Sequence, residues 1–319
     1  MSYDVYALRG VTLALAWLLA LNAAATALVA IFAGRLAARD AHRPAVLWLS
    51  LRLGPAIVSM AFAAFVFIPS YLAYEPRPDV GEGFDLTLTA MAIAAAAMIG
   101  FAAIRGTAAW IGAWNRARAW RRLSRPLAIG DRTLPAFVVD VDTPIMALLG
   151  VLRPALLITR GVVTALTNEE LRAAVAHEVG HFRACDNLKR LAMRAAPDLL
   201  FMTPAASALE RRWASAAEHA ADRRAGDTEQ ARCALASALV KIARLTPPRT
   251  PLAQPISTLV DGGEIASRVQ RLLSDPSTVP ALWTRWPIAA AVALGAIAAY
   301  SPLLRAVHEA TEILVRTLP

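Results

Sequence analysis

Four long apolar runs decide what this chain can fold into. They extend over residues 11–33, 53–74, 86–104 and 287–304. Each run approaches the roughly 20 apolar residues that an α-helix needs to cross a bilayer. Because 57% of the residues are hydrophobic and only 18% are charged, the chain is too apolar for an ordinary soluble domain. The runs therefore predict a mostly α, polytopic membrane protein with four spans.

The charges between the runs predict the orientation of these spans. Residues 34–44 and the segment after the third run are rich in arginine, whereas residues 75–85 carry four acidic residues and one arginine. Arginine-rich loops stay in the cytoplasm. The N-terminus is then expected outside a cell (inner) membrane, and the region between the third and fourth runs inside the cytoplasm. We expect a membrane domain at 1–114, a cytoplasmic domain at 115–285, and a fourth span with a short tail at 286–319.

A metal-binding pattern lies in the predicted cytoplasmic domain. His177, Glu178 and His181 form the sequence H-E-x-x-H within residues 168–190, which are predicted to form one helix. Side chains four residues apart on a helix lie on one face, with Cβ atoms about 5–6 Å apart, so the two imidazoles can bind one metal ion. Glu178 can then take a proton from metal-bound water, as zinc peptidases require. The alternative is an ordinary charged helix face.

Zinc needs a third protein ligand, and Glu218 is the best candidate. Glu218 and Asp222 are four residues apart on a second predicted helix, residues 205–224. Glu218 would bind the metal, and Asp222 would accept a hydrogen bond from the free ring nitrogen of a zinc histidine. The alternative is an acidic pair on a helix that also carries arginines. Three rival third ligands are Glu210, Glu229 and His219.

The rest of the expected cytoplasmic domain is predicted to be mostly helical with a small sheet. The best strand candidates are residues 138–141 and 155–159. Further helices are predicted at 230–245 and 263–273, and four prolines at 247–255 interrupt the chain between them.

Residues 166–186 resemble the metal helix of the membrane-bound gluzincin peptidases. Residues 218–222 resemble their third-ligand element, and residues 142–150 and 153–161 resemble the short strands before the metal helix. The similarity covers residues 134–244 or so. Two families share these motifs: the BlaR/MecR-type antibiotic-sensor peptidases of family M56 and the HtpX-type quality-control peptidases of family M48.

This resemblance implies an α+β zincin-like metallopeptidase domain on the cytoplasmic side. It implies that His177, His181 and Glu218 bind Zn²⁺ and that Glu178 is the catalytic base and acid. A protein or peptide substrate is expected to bind in extended form, as an added strand on a sheet edge within residues 143–149.

Two functions fit these features. The first is a zinc-dependent membrane endopeptidase, whose partners are protein substrates and membrane lipids. The second is a BlaR/MecR-like signalling protein, in which proteolysis relays a signal to a transcriptional repressor. Only about fifteen residues follow the fourth run, so no penicillin-binding sensor domain is expected. A metal-free scaffold is a third reading. The net charge of +9 fits positive-inside loops. No nucleic-acid partner is expected, and the oligomeric state stays open.

Overall fold

The computed structural model describes residues 3–37, 43–75, 86–128, 134–245, 257–258, 265–274 and 286–317. The helices are α1 (Tyr3–Ala37), α2 (Ala45–Phe62), α3 (Ile68–Tyr74), α4 (Leu86–Arg122), α5 (Arg160–Ala165), α6 (Asn168–Arg183), α7 (Asp186–Ala195), α8 (Pro204–Ala225), α9 (Glu229–Leu245), α10 (Ile265–Ser274) and α11 (Trp286–Thr317). The strands are β1 (Ser124–Leu127), β2 (Ala136–Val139), β3 (Met146–Leu149), β4 (Ala155–Thr159) and β5 (Ser257–Thr258). A π-helical turn, Ala63–Phe67, joins α2 to α3, and a 3₁₀ turn, Leu199–Met202, precedes α8. The described chain is mostly helical with a small sheet, as the sequence predicts.

Within the described residues, three helical stretches are long and apolar enough to cross a membrane. They are Asp4–Arg35, Ala45–Tyr74 and Leu86–Arg122, and they contain the first three apolar runs. The fourth run falls in α11, whose side chains are described only from residue 299 onward, apart from that of residue 316. The fourth span therefore stays a prediction. Residues 76–85, which include most of the acidic loop, and the prolines at 247–255 lie outside the described residues.

A five-stranded sheet supports the metal helix. Its strand order is β1-β2-β4-β3-β5, in which β2 and β4 are parallel and the other pairs are antiparallel. Successive residues of a strand face opposite sides of a sheet. In β3, Met146 and Leu148 therefore join the core shared with α6 and α9, whereas Ala147 and Leu149 pack beside Ala117 of α4. Both faces of the sheet are thus covered by helices.

The strand predictions are confirmed in position and corrected in detail. β4 has the predicted bounds, but β2 begins two residues earlier than predicted and ends at Val139. The expectation of a free edge within residues 143–149 is wrong for two positions, because Ala147 pairs with Thr258 and Leu148 pairs with Ser257. A short segment of the chain itself occupies this edge.

Helix α6, which carries the H-E-x-x-H sequence, is shorter than the sequence predicts. Thr167 and Glu170 form a capping box that begins α6. The predicted single helix 168–190 is wrong, because α6 ends at Arg183 and α7 begins at Asp186. Between them Cys185 adopts a left-handed conformation with φ of 55°, which cannot continue a right-handed helix. The chain therefore turns four residues after the second histidine of the motif.

Polar side chains from all three candidate spans contact one connection, residues 196–199. Asn22 of α1 donates to the Pro197 carbonyl oxygen at 3.1 Å and accepts from the Leu199 amide at 2.9 Å. Arg52 of α2 donates to the Asp198 carboxylate at 2.9 Å, with both side chains almost fully buried. Arg105 of α4 donates to the Ala196 carbonyl oxygen at 2.9 Å. This connection joins α7 to α8, so both helices are fixed to the apolar bundle.

Candidate metal centre

Helices α6 and α8 bring two imidazoles and one carboxylate to a common point. The two Nε2 atoms of His177 and His181 lie 3.2 Å apart. Glu218 Oε2 lies 3.4 Å from His177 Nε2, and Glu218 Oε1 lies 3.3 Å from His181 Nε2. Ligands of a tetrahedral zinc ion at bond lengths of about 2.0–2.1 Å are separated by about 3.3 Å. The three side chains are therefore spaced as ligands of one ion.

Glu178 lies beside these three side chains as a buried carboxylate. It has no accessible surface, and neither of its carboxylate oxygens has a hydrogen-bond partner among the described residues. Burial raises the pKa of Glu178 to about 7, against the opposing effect of the two neighbouring histidines. A buried carboxylate without partners is costly unless a polar group occupies the space in front of it. Glu178 is thus free to accept a proton from a bound water or substrate.

Each histidine is oriented by a carboxylate on its outer ring nitrogen. His177 Nδ1 lies 2.9 Å from Asp222 Oδ1, and His181 Nδ1 lies 2.7 Å from Asp186 Oδ2. These contacts leave both Nε2 atoms facing the common point. Such carboxylates fix the tautomer of a metal histidine and raise its basicity. Asp222 lies beside the ring of His177, and its role in supporting a metal ligand stays a prediction. The contact of Asp186 with His181 was not predicted from the sequence.

The charge around the histidines favours a cation. Burial lowers the pKa of His181, but the hydrogen bonds that its ring donates to Asp186 and Glu218 outweigh it and raise this pKa to about 10. The carboxylates therefore stabilise positive charge between the rings, supplied by protons or by a metal ion that displaces them. Two imidazole nitrogens, one carboxylate and an adjacent unpaired carboxylate are the donor set of a catalytic zinc site. The residues present fit zinc.

Arg268 of α10 completes the centre and was not anticipated from the sequence. Its side chain is buried and makes a bidentate contact with Asp222, with distances of 2.6 and 2.9 Å. Its Nη1 lies 3.0 Å from Glu218 Oε2, and its Nη2 lies 3.5 Å from His177 Nε2. A signal exists in the sequence, because Arg268 lies within the apolar stripe of α10. That stripe packs on the core through Ile265, Val269 and Leu272.

The rival ligands lie elsewhere. Glu210 pairs with Arg52 at 2.9 Å, and Glu229 is exposed at the start of α9. His219 is not part of the His177, His181 and Glu218 group. Of the two arginines nearest to Glu218 in sequence, Arg223 is exposed and Arg224 donates to the Gly180 carbonyl oxygen.

Residues 134–272 match the family model described as BlaR1 peptidase M56. This part of the chain is similar to the M56 peptidases. The match begins just before β2 and ends within α10, so it contains every side chain of the metal centre, including Arg268. It supports M56 over M48 as the family that the motifs resemble. No curated protein matches the chain significantly.

A valine at Gly180 is expected to weaken zinc binding by about tenfold or more, as loss of a supporting contact does in metal sites. A Cβ atom at Gly180 would lie 3.2 Å from the Ala221 Cα atom and 3.3 Å from its Cβ atom. The branched side chain would push α8, which carries Glu218, away from α6. Zinc affinity is measured by competition with a chromophoric chelator. Gly100→Val is the control, because a Cβ there meets nothing within 4 Å. Equal zinc affinity in both variants would contradict this account of the helix contact.

Proposed function

We propose that this protein is a zinc-dependent membrane endopeptidase. The observation that carries the proposal is the convergence of His177, His181 and Glu218 at 3.2–3.4 Å beside the unpaired carboxylate of Glu178. The M56 family match supports peptide-bond hydrolysis as the reaction. A metal-free scaffold explains neither the ligand spacing nor the burial of a carboxylate that has no hydrogen-bond partner among the described residues.

In the proposed mechanism, His177, His181 and Glu218 hold the zinc ion. When bound, zinc supplies Lewis acidity, which polarises a carbonyl group and acidifies water. Glu178 accepts the proton of the attacking water and returns it to the leaving amine. Asp222 and Asp186 keep the two histidines in the tautomer that presents Nε2.

Arg268 has a positioning role in this proposal. Its guanidinium group neutralises part of the negative charge of Glu218 and Asp222, and the bidentate contact fixes the Asp222 carboxylate. The guanidinium group of Arg268 therefore places a cation beside Glu218 and His177, and the sequence alone did not predict it. A fixed cation in a buried site stabilises developing negative charge without reorganisation.

The substrate is proposed to bind along β3. An extended peptide can add to a sheet edge through main-chain hydrogen bonds. In the structure this edge is paired with β5 at Ala147 and Leu148. A substrate that pairs with these residues must first displace β5.

Replacing Glu178 with glutamine is expected to reduce cleavage of a fluorogenic protein substrate by about 10²–10⁴-fold, which is the usual contribution of general acid and base catalysis. Zinc content should stay unchanged, because Glu178 is not a ligand in the proposal. The full-length proteins are compared in lipid nanodiscs, with zinc measured in the same samples.

The matched control is Glu169→Gln, the same substitution on the exposed face of α6. It should leave the cleavage rate unchanged. If Glu178→Gln cleaves at the wild-type rate with zinc bound, the role assigned to Glu178 is wrong.

We propose that residues 115–285 face the cytoplasm of a multi-pass protein in the inner (cytoplasmic) membrane, with membrane segments at 1–114 and 286–319. The arginine-rich ends of the first and third spans support this orientation. A reporter enzyme inserted near Thr228, between α8 and α9, should be active only when it is a cytoplasmic reporter. Activity of a reporter that works only outside the cytoplasm would contradict the orientation.

A second candidate function is a relay to a transcriptional repressor. The name of the matched family and the polar contacts of three candidate spans with residues 196–199 favour it. Comparative proteomics of cells that carry the wild type or Glu178→Gln separates the two functions. A repressor that accumulates only in the variant supports the relay. Accumulation of damaged membrane proteins instead supports an endopeptidase that degrades such proteins.

A further inference from the structure

A cleft of about 650 Å³ lies between the end of α4 and the turn at residues 150–153. It is remote in sequence from the metal ligands and plays no part in the proposed reaction. Its walls combine aromatic rings and guanidinium groups. The side chains that matter for its chemistry are Trp110, Trp114, Arg118, Arg121, Arg122 and Arg153.

The cleft is strongly cationic. Four of its ten lining residues are arginines, and none of the ten is acidic. Arg121 donates to the Arg153 carbonyl oxygen at 3.3 Å, which ties the helix to the turn across the cleft. Arg118 lies over the Trp114 ring at 5.2 Å. Guanidinium groups in such a cluster favour a phosphate group.

The position of the cleft favours the phosphate of a lipid over a soluble phosphate. One wall belongs to Leu86–Arg122, the third helix that is long and apolar enough to cross a membrane. Trp110 and Trp114 are 38% and 54% exposed on that helix, between Arg105 and the four arginines of its last seven residues. Tryptophan followed by arginine at the end of a span is typical of the boundary between acyl chains and headgroups. The tryptophans offer a surface for acyl chains where the arginines offer one for phosphate.

We propose that this cleft binds the headgroup of an anionic phospholipid. The arginines contact the phosphate, and the part of the acyl chains next to the headgroup lies against Trp110 and Trp114. A zwitterionic lipid brings its own ammonium group, which the four guanidinium groups repel. The cleft therefore selects for net negative charge as well as for phosphate.

The test uses the full-length protein in neutral detergent, titrated with dioctanoyl phosphatidylglycerol and, separately, with dioctanoyl phosphatidylcholine. Binding is followed by calorimetry. The wild type should bind the anionic lipid at least about tenfold more tightly. Each arginine close to a membrane surface contributes about fivefold to such binding, so Arg121→Gln combined with Arg153→Gln should weaken it about 25-fold.

The matched control combines Arg125→Gln and Arg211→Gln, two exposed arginines that do not line the cleft. Thermal unfolding of all variants is measured to show that the fold is intact, and Arg121→Lys should retain most of the binding. Equal losses in the two double variants would show diffuse surface charge and overturn the proposal. Equal binding of the two lipids would also overturn it. Binding of inorganic phosphate as tight as that of the anionic lipid would identify a site for soluble phosphate instead.

Discussion

The contacts between the two histidines and their carboxylates are the interactions on which the rest of the site depends. Asp222 holds His177 at 2.9 Å, and Asp186 holds His181 at 2.7 Å. Both histidines are fully buried. Burying polar rings is unfavourable unless they have polar or charged partners, so these contacts favour the packing of α6 against its neighbours. They also turn both Nε2 atoms toward Glu218, which is the condition for binding one metal ion.

The same contacts connect the metal centre to the apolar bundle. Asp186 is the first residue of α7, and the connection that follows α7 contacts Arg52 and Arg105 of two candidate spans. A helix of ten residues is about 15 Å long. Asn187, the next residue of α7, donates to the carbonyl oxygens of Leu148 and Gly150 at 2.9 and 2.8 Å. A single short helix therefore contacts His181 and β3, and the connection after it contacts the candidate spans.

Much of this site can be predicted from the sequence because its main determinants are local. The spacing of His177 and His181 fixes one helix face, and the spacing of Glu218 and Asp222 fixes another. The structure brings these two faces together. Three features could not be predicted in this way. The contact of Asp186 with His181 depends on the left-handed conformation of Cys185, and the residue types at this point of the sequence do not predict that conformation. The pairing of β5 involves two residues, too few for a periodic pattern.

The third missed feature is Arg268, which lies 46 residues from Asp222 in sequence. Only tertiary packing brings these two residues together. Its position within the apolar stripe of α10 is the one signal that the sequence contains, since a buried arginine needs carboxylate partners. The end of α6 was also predicted wrongly. The helical spacing of apolar residues continues through residues 184–185 in the sequence, but the helical backbone is interrupted there.

The central claim is that His177, His181 and Glu218 together bind one zinc ion. Zinc X-ray absorption of the purified full-length protein tests it most directly. One zinc ion per chain is expected, with two imidazole nitrogens and at least one carboxylate oxygen at about 2.0–2.2 Å and no sulfur ligand. In His181→Ala the imidazole signal should fall to one ring, with weaker zinc retention. A spectrum with sulfur ligands, or one that is unchanged in His181→Ala, would show that these three side chains are not the zinc ligands.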